Sequence, residues 1–398
     1  MLSVLTPSPN DPILQLAVDF RADPRANKLD LGVGVYKNAA GETVIPEAVK
    51  AAEAKILDEQ RTKSYVGLLG DVEFTCEMTG LVLGDAAPAD RLAAIQTPGG
   101  GGALWILMSL AATAAAAAGL EATLWVSTPT WGNHKAIAAH CGLAVKEYAY
   151  FNHASRKVEF DKMAADLKAA GPGDVVLLHG CCHNPTGANL TEADWAVLTE
   201  MALAQGFTPM IDIAYQGFGD GLAEDAVGLR HMAARVPEML VAASCSKNFA
   251  LYRDRTGCAM VISETPAARD AVEANLKTLM RVSISMPPDH GAAIVREILT
   301  GVALREVWET ELTEMRERML TLRQSLAQAL REQTNSDRFD FIAKHRGMFS
   351  LLGATPDQVK TLKDAHGIYI IGDSRMNVAG LKEDRIEEVA AAFAAVGM

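Results

Sequence analysis

The chain has no excess of positive charge. Its 398 residues carry 37 Lys and Arg against 49 Asp and Glu, a net charge of −12. A field of that sign argues against nucleic acid as a partner. No C-x-x-C pair is present among the six cysteines, Cys76, Cys141, Cys181, Cys182, Cys245 and Cys258. Cys181 and Cys182 are adjacent, and neighbouring cysteines cannot close a disulfide of ordinary geometry. Reduced thiols in a cytoplasmic protein are therefore expected. The first residues, Met1-Leu2-Ser3-Val4-Leu5-Thr6-Pro7, lack the basic region and apolar run of a secretory leader. G-x-G-x-x-G, internal repeats and low-complexity linkers are also missing. One uncharged run, Ala103 to Leu120, is as long as a membrane span. It is mostly alanine, a weak membrane residue and the best helix former. It reads as a buried core helix, and no membrane association is expected.

What is present is an alternation of helices and buried strands. The chain is long for one core, so two domains are expected. Helix patterns fall at 46–60, 71–83, 101–119, 132–141, 160–169, 191–205 and 264–280. Short hydrophobic strands fall at 92–96, 122–126, 144–148, 174–179, 207–213, 239–244 and 258–263. This order predicts an α/β domain with a mostly parallel, seven-stranded sheet covered on both faces. Sites in such sheets lie at the carboxyl ends of the strands. Residues 1–12, rich in Pro, Ser and Asn, read as an extended arm. A short helix over Ile13–Phe20 and a glycine-interrupted strand over Leu29–Tyr36 follow. Leu304, Trp308, Leu312, Met315, Met319, Leu322, Leu326 and Leu330 recur at helical spacing and predict one helix over 303–332. Strands are then expected at 339–342, 349–352 and 368–371, with helices at 356–366 and 383–396. The expected division is an arm over 1–12, a large domain over 45–314, and a small α+β domain built from 13–44 and 315–398.

Several stretches carry chemistry. The strand over 239–244 runs into Ser244-Cys245-Ser246-Lys247, with Arg255 close behind. A lysine at the mouth of a buried strand is partly desolvated, which favours the neutral amine that attacks aldehydes. Two hydroxyls and a guanidinium beside it suit a phosphate. Alone, Lys247 reads more simply as a lysine in a polar surface loop. Gly99-Gly100-Gly101-Gly102 opens the alanine-rich helix, and a helix N-terminus with free N–H groups attracts anions; a flexible turn is the simpler alternative. Asp212 ends a strand, with Tyr215 three residues on; a helix cap is the plain reading of that carboxylate. His179-Gly180-Cys181-Cys182-His183-Asn184-Pro185-Thr186-Gly187 has two His and two Cys, but not zinc spacing, so no metal site is expected. Thr128-Pro129-Thr130-Trp131-Gly132-Asn133-His134 offers an aromatic plate, or ordinary core packing.

Together, Ser244–Gly257, Asn184-Pro185-Thr186-Gly187, Asp212 with Tyr215, and Arg375-Met376-Asn377-Val378-Ala379-Gly380 resemble the class I aminotransferases. The likeness is to the aspartate and aromatic amino acid branch of the fold type I pyridoxal phosphate enzymes, closest to the bacterial aromatic amino acid aminotransferases. It extends nearly end to end, from Asp11-Pro12-Ile13-Leu14. The resemblance implies that Lys247 carries pyridoxal phosphate and that Asp212 keeps its ring nitrogen protonated. Asn184 and Tyr215 would bond the 3′-oxygen, Trp131 would stack on the ring, and His134 would support Asp212. Gly100, Gly101, Ser244, Ser246 and Arg255 would hold the phosphate, with Tyr65 reaching it from a neighbouring subunit. Relatives often have a hydroxyl where Gly101 stands. Arg375 would clamp the substrate α-carboxylate, with Gly34, Asn184, Trp131 and Phe349 around it and Ile13 and Leu14 closing above. Arg281, from across a homodimer, would meet a distal carboxylate. Met286 stands where aspartate-selective relatives commonly have Asn, which favours use of both aromatic and acidic amino acids with 2-oxoglutarate in a ping-pong reaction. A strict aspartate aminotransferase is the alternative. The bonds Thr128–Pro129 and Asn184–Pro185 are expected to be cis.

Overall fold

Seven strands form the central sheet of the computed structural model, which describes residues 2–7 and 11–398. Their order is Leu92–Pro98, Thr256–Ile262, Met239–Ser244, Thr208–Ile213, Asp174–His179, Thr123–Thr128 and Ala144–Ala149. Pairing is parallel throughout except at Thr256–Ile262, which runs antiparallel to both of its neighbours. The strands were legible because those at the centre are buried on both faces, so Met239–Ser244 and Thr256–Ile262 are continuously apolar or small.

This topology decides where chemistry can sit. Six strands end at one edge, and the reversed strand begins there. Pro98, Ser244, Asp212, His179 and Thr128 thus arrive at the same edge as Thr256. Register makes the placement tight: Asp212 pairs with His179 on one side and Ala242 on the other, and Gly257 pairs with Ser244. Helix Gly99–Ala117 leaves that edge and packs on the strands Met239–Ser244 and Thr256–Ile262. By length and apolar character it would pass for a membrane span. Its Ala103, Leu104, Leu107 and Met108 instead share a buried cluster with Ile95, Leu124, Val126 and Ala242. Each large aliphatic side chain so buried contributes about 1.5–3 kcal/mol.

The chain divides into two compact units, one of residues 44–184 and 188–317, the other of 2–7, 11–43, 185–187 and 318–398. Helix Val302–Thr334 is continuous, as its stripe predicts, and supplies residues to both. The second unit has its own core, including Leu29, Leu31, Leu322, Leu326, Phe339, Ile342, Ile368, Met376 and Phe393. Two short ribbons run through it. Leu29–Asp30 pairs in parallel with Ile368–Tyr369, and Phe349–Leu351 pairs antiparallel with Arg375–Asn377.

Three expectations need correction. The segment 339–342 is not a strand: residues 338–340 turn, and Phe341–Lys344 is helical. Its main-chain bonds are local, Asp340 N to Asp337 O and Ile342 N to Phe339 O, while both phenylalanines still reach the core. The strand from Leu29 stops at Asp30, because the Asp30 carboxylate accepts the N–H groups of Gly32 and Val33 at 3.0 and 3.2 Å and turns the chain aside. The glycine helix starts at Gly99, so all four glycines lie in its first turn. Helices Val227–Ala233 and His290–Thr300 and the hairpin Phe151–Asn152/Lys157–Val158 were not anticipated. Of the arm, Met1 and Ser8–Asn10 lie outside the described residues. Its Leu2, Val4 and Leu5 are exposed.

Candidate active site

Lys247 sits in the turn that follows strand Met239–Ser244, where Ala250 N donates to Lys247 O at 3.0 Å. The turn is pinned from the long helix. Trp308 Nε1 donates to Asn248 O at 2.8 Å, and its ring stacks on Phe249 with centroids 4.4 Å apart. Lys247 Nζ lies 5.2 Å from the centroid of the buried Tyr215 ring. Its positive charge also lowers the pKa of Asp212.

Asp212 is the best-supported carboxylate of this edge. His134 Nε2 lies 3.0 Å from its Oδ2, and His134 Nδ1 lies 2.8 Å from Thr130 Oγ1. Thr130 Oγ1 is 3.3 Å from His179 Nε2, and Asn184 N donates to His179 Nδ1 at 3.4 Å. One direction of donation satisfies all four links. Asn184 N–H gives to His179, His179 Nε2–H to Thr130, Thr130 O–H to His134, and His134 Nε2–H to Asp212. Burial, then the proximity of His134, pushes the His179 imidazole down to about 3, so it is neutral, as that direction requires. Burial alone would raise the Asp212 carboxyl. The His134 hydrogen bond and the electrostatic influence of His134, His179 and Lys247 outweigh it and hold the group below its ordinary value. With 11% of its side chain exposed, the Asp212 carboxylate is mostly buried but not sealed from a ligand. The Thr128–Pro129 bond upstream of Thr130 is cis, as expected, whereas the Asn184–Pro185 bond, expected to be cis as well, is trans.

Around this wire the rings form a column. Trp131 meets His134 edge-on at 5.3 Å, His134 meets His179 at 5.2 Å, His179 meets His183 at 4.1 Å, and His183 stacks on Tyr150 at 4.0 Å. His183 Nε2 is 2.9 Å from Ser127 Oγ, which donates to Pro129 O. The sequence named His134 and Asn184 but missed Thr130, the role of His179, and Trp308. No residue-type pattern marks them, since Thr130 meets His179 from a distant strand and Trp308 meets a turn far earlier in the chain.

An anion cradle lies beside the lysine turn. Ser244 Oγ donates to Ser246 Oγ at 3.1 Å and accepts from Ser246 N at 3.2 Å. Gly100 packs on Ser244 so closely that a Cβ there would lie 2.9 Å from the serine's own. Gly101 faces open space. Arg255 holds a left-handed φ of 54° and donates to Tyr252 O at 3.1 Å. First-turn N–H groups, two serines and a guanidinium on one side, with a carboxylate and an amine on the other, fit a flat ligand. That ligand would carry a phosphate at one end and a protonated ring nitrogen at the other, as pyridoxal phosphate does. Tyr65, 89% exposed, and Arg281, also exposed, lie on the surface of the same unit.

The other unit gathers Gly34, Phe349 and Arg375. The Arg375 guanidinium lies 4.3 Å from the Phe349 ring centroid and donates to Gly32 O at 3.3 Å. A Cβ on Gly34 would fall 2.8 Å from Phe349 Cζ. Ile13 is half-buried and Leu14 is 68% exposed, in a helix capped by Asp11, whose carboxylate accepts from both of their N–H groups. Cys181, Cys182 and Asp225 also form a buried group, with potential ligand atoms within 4.8 Å of one another. There, the Asp225 oxygens accept from Gly217, Gly219 and Asp220 N–H and close a loop. The Cys182 contact and burial push the Cys181 thiol well above its ordinary range.

Comparison with known proteins accounts for this arrangement. The profile of the family described as "Aminotransferase class I and II" matches residues 26–393. The chain is 50% identical over 398 residues to an aromatic-amino-acid aminotransferase of Paracoccus denitrificans, covering all of both chains. It is 43% identical over 399 residues to an aspartate aminotransferase of Salmonella typhi, again covering all of both. A solved aromatic-amino-acid aminotransferase of Burkholderia pseudomallei, covalently bound to pyridoxal phosphate, superposes with a TM-score of 0.96 at 38% identity, over 100% of this chain and 99% of that one.

Proposed function

This chain belongs to the class I and II aminotransferases, and from that membership we propose that it moves the amino group of aromatic and acidic L-amino acids to 2-oxoglutarate. The observation that carries the reading is Asp212, a carboxylate held below its ordinary pKa, hydrogen-bonded to His134 and facing Lys247. Pyridoxal phosphate, the cofactor of this enzyme class, supplies an electron sink that stabilises negative charge at the substrate Cα. The protein's residues do the rest. Asp212 holds the proton on the ring nitrogen and so keeps the sink strong. Ser244, Ser246, Arg255 and the first turn at Gly100 and Gly101 fix the phosphate, joined by Tyr65 of a second subunit. Asn184 and Tyr215 orient the ring edge, and Trp131 covers its face. Lys247 would hold the cofactor through its amine, and as a free amine it would take the proton from the substrate Cα and return it on the cofactor side. The amino acid leaves as a keto acid before 2-oxoglutarate enters, which is a ping-pong sequence.

Substrate choice rests on two arginines. Arg375 takes the α-carboxylate, for which a planar fork gives two parallel bonds. Arg281, from the second subunit, meets the distal carboxylate of acidic substrates and swings away from aromatic ones. Met286 supports that freedom. Its Sδ accepts Val66 N, at 3.2 Å, next to Tyr65 in the chain, and it offers no amide to hold a guanidinium. Ile13 and Leu14 close over the ring. Exposed Tyr65, Arg281, Leu2, Val4 and Leu5 suit a homodimer with shared sites, working in the cytoplasm. Borohydride reduction followed by peptide mass analysis tests the reading. The cofactor's mass should appear on the peptide containing Lys247 and on no other; its appearance elsewhere overturns the assignment.

A further inference from the structure

Arg323 lies in the long helix with none of its surface exposed. Its neighbours Leu322 and Leu326 are core residues, so the sequence alone would place an aliphatic residue beside them or turn the arginine to water. Instead the guanidinium is caged by the segment that leads into strand Phe349–Leu351. Nε donates to Gly347 O at 3.2 Å. Nη1 donates to Ile342 O at 3.1 Å and Ser350 Oγ at 2.8 Å. Nη2 donates to Arg346 O at 3.3 Å, Gly347 O at 2.7 Å and Phe349 O at 2.6 Å. A buried cation is costly unless its donors are all met, and here one planar fork meets carbonyls that an irregular loop would otherwise leave unpaired.

The caged loop leads to a specific place. Phe349 pairs with Asn377 and Leu351 with Arg375, so Phe349 and Arg375 are diagonal neighbours on one face of the ribbon. The ring supports the Arg375 guanidinium, and Arg346 N in the same loop donates to Gly187 O at 2.9 Å. The carbonyl of Phe349, which accepts the shortest of these six bonds, is fixed by Arg323 directly.

We infer that Arg323 is a positioning residue for substrate carboxylate binding: it locks the loop 342–350 so that Phe349 holds the Arg375 fork in place. The inference rests on the proposed role of Arg375. Lysine cannot replace it, because an ammonium has three donors and no plane. The test uses the holoenzyme and the monocarboxylate probe 3-phenylpropionate, titrated calorimetrically. Arg323→Met should weaken the probe about 10-fold or more, and Arg323→Lys about 3- to 10-fold, while pyridoxal phosphate affinity stays within about twofold of wild type. A general packing defect would lower thermal stability without this selective loss. A folded Arg323→Met that binds the probe within about twofold of wild type overturns the inference, as does an equal loss of cofactor affinity. If Arg323→Met does not fold, Arg323→Lys and Ser350→Ala decide by the same criterion. Arg375→Lys is the control. If it weakens the probe and the Arg323 variants do not, the positioning role alone falls; if it too has no effect, the Arg375 assignment falls with it.

Discussion

Asp212 and Arg323 are both charges withdrawn from water, one in each unit, and they are held in different currencies. Asp212 is held by side chains, through a run of imidazoles and a hydroxyl that begins at the Asn184 N–H. Arg323 is held mainly by main-chain carbonyls, with one serine hydroxyl among them. The side-chain wire contains groups that titrate, so acid can break it. The carbonyl cage does not titrate in the working range, but it depends on the shape of its loop. The first arrangement sets a charge, the second a position.

Four changes sharpen that contrast. The largest effect is expected at Lys247, whose charge faces Asp212. Lys247→Ala should lower kcat by about 10⁴-fold or more while the cradle and the intact wire still bind pyridoxal phosphate, as equilibrium dialysis would register. Wild-type turnover in that variant would end the assignment. Next comes Arg281, a cation exposed on its unit and held by neither wire nor cage. Arg281→Leu should depress kcat/KM for aspartate roughly 10²-fold, about 3 kcal/mol, and leave phenylalanine nearly unchanged. Steady-state kinetics on both substrates check it, and equal losses would remove the case for dual specificity. Gly34→Ala attacks the positional arrangement, since its Cβ would press on Phe349 Cζ from 2.8 Å. A displaced ring should cost about tenfold in kcat/KM for aspartate and phenylalanine alike; a loss confined to one of them would contradict a shared α-carboxylate site.

The fourth change concerns pH and acts on stability, with the smallest effect expected on turnover. His179 stays neutral in the fold down to about 3, against an ordinary value of 6.5, so between these values the unfolded chain binds the additional proton. Stability must therefore fall as pH drops through that window, by up to about 1.4 kcal/mol per pH unit from this group. Asp212 acts in the same direction. Its depressed pKa gives stability above the ordinary carboxylate range that is lost as pH falls below it. His179→Gln should flatten the acid limb of a urea-midpoint profile between pH 6.5 and 4 relative to wild type; an unchanged slope would mean that His179 does not carry it. No comparable slope is expected from Arg323, and that difference is the plainest statement of the two arrangements.

The sequence reading found the seven sheet strands because hydrophobic runs and helix stripes record burial, which is local in the chain. It placed Lys247 at a strand mouth for the same reason. It misread 339–342, where Phe339 and Phe341 satisfy an alternating pattern while their main chain turns on itself. It ended the strand at 29–36 too late, because the capture of two N–H groups by Asp30 is a side-chain event. The wire and the cage were illegible for a further reason. Thr130 joins His134, in the helix that follows it, to His179 on a distant strand, and Arg323 bonds mostly to carbonyls, which every residue possesses. A carbonyl acceptor leaves no mark on composition.

The reversed strand Thr256–Ile262 has one more consequence. Cys245 N donates to Thr256 O at 3.1 Å, and Gly257 sits opposite Ser244, so the run from Cys245 to Arg255 is a closed loop whose two feet are nailed to the same pair of strands. Its ends cannot drift apart, whatever happens between them. Lys247 stands just inside one foot and Arg255 at the other, so the spacing of amine and guanidinium is an anchored span that the intervening chain does not have to measure. Residues 248–254 are thereby released from the duty of setting reach, and Asn248 and Phe249 serve instead as the socket that receives Trp308.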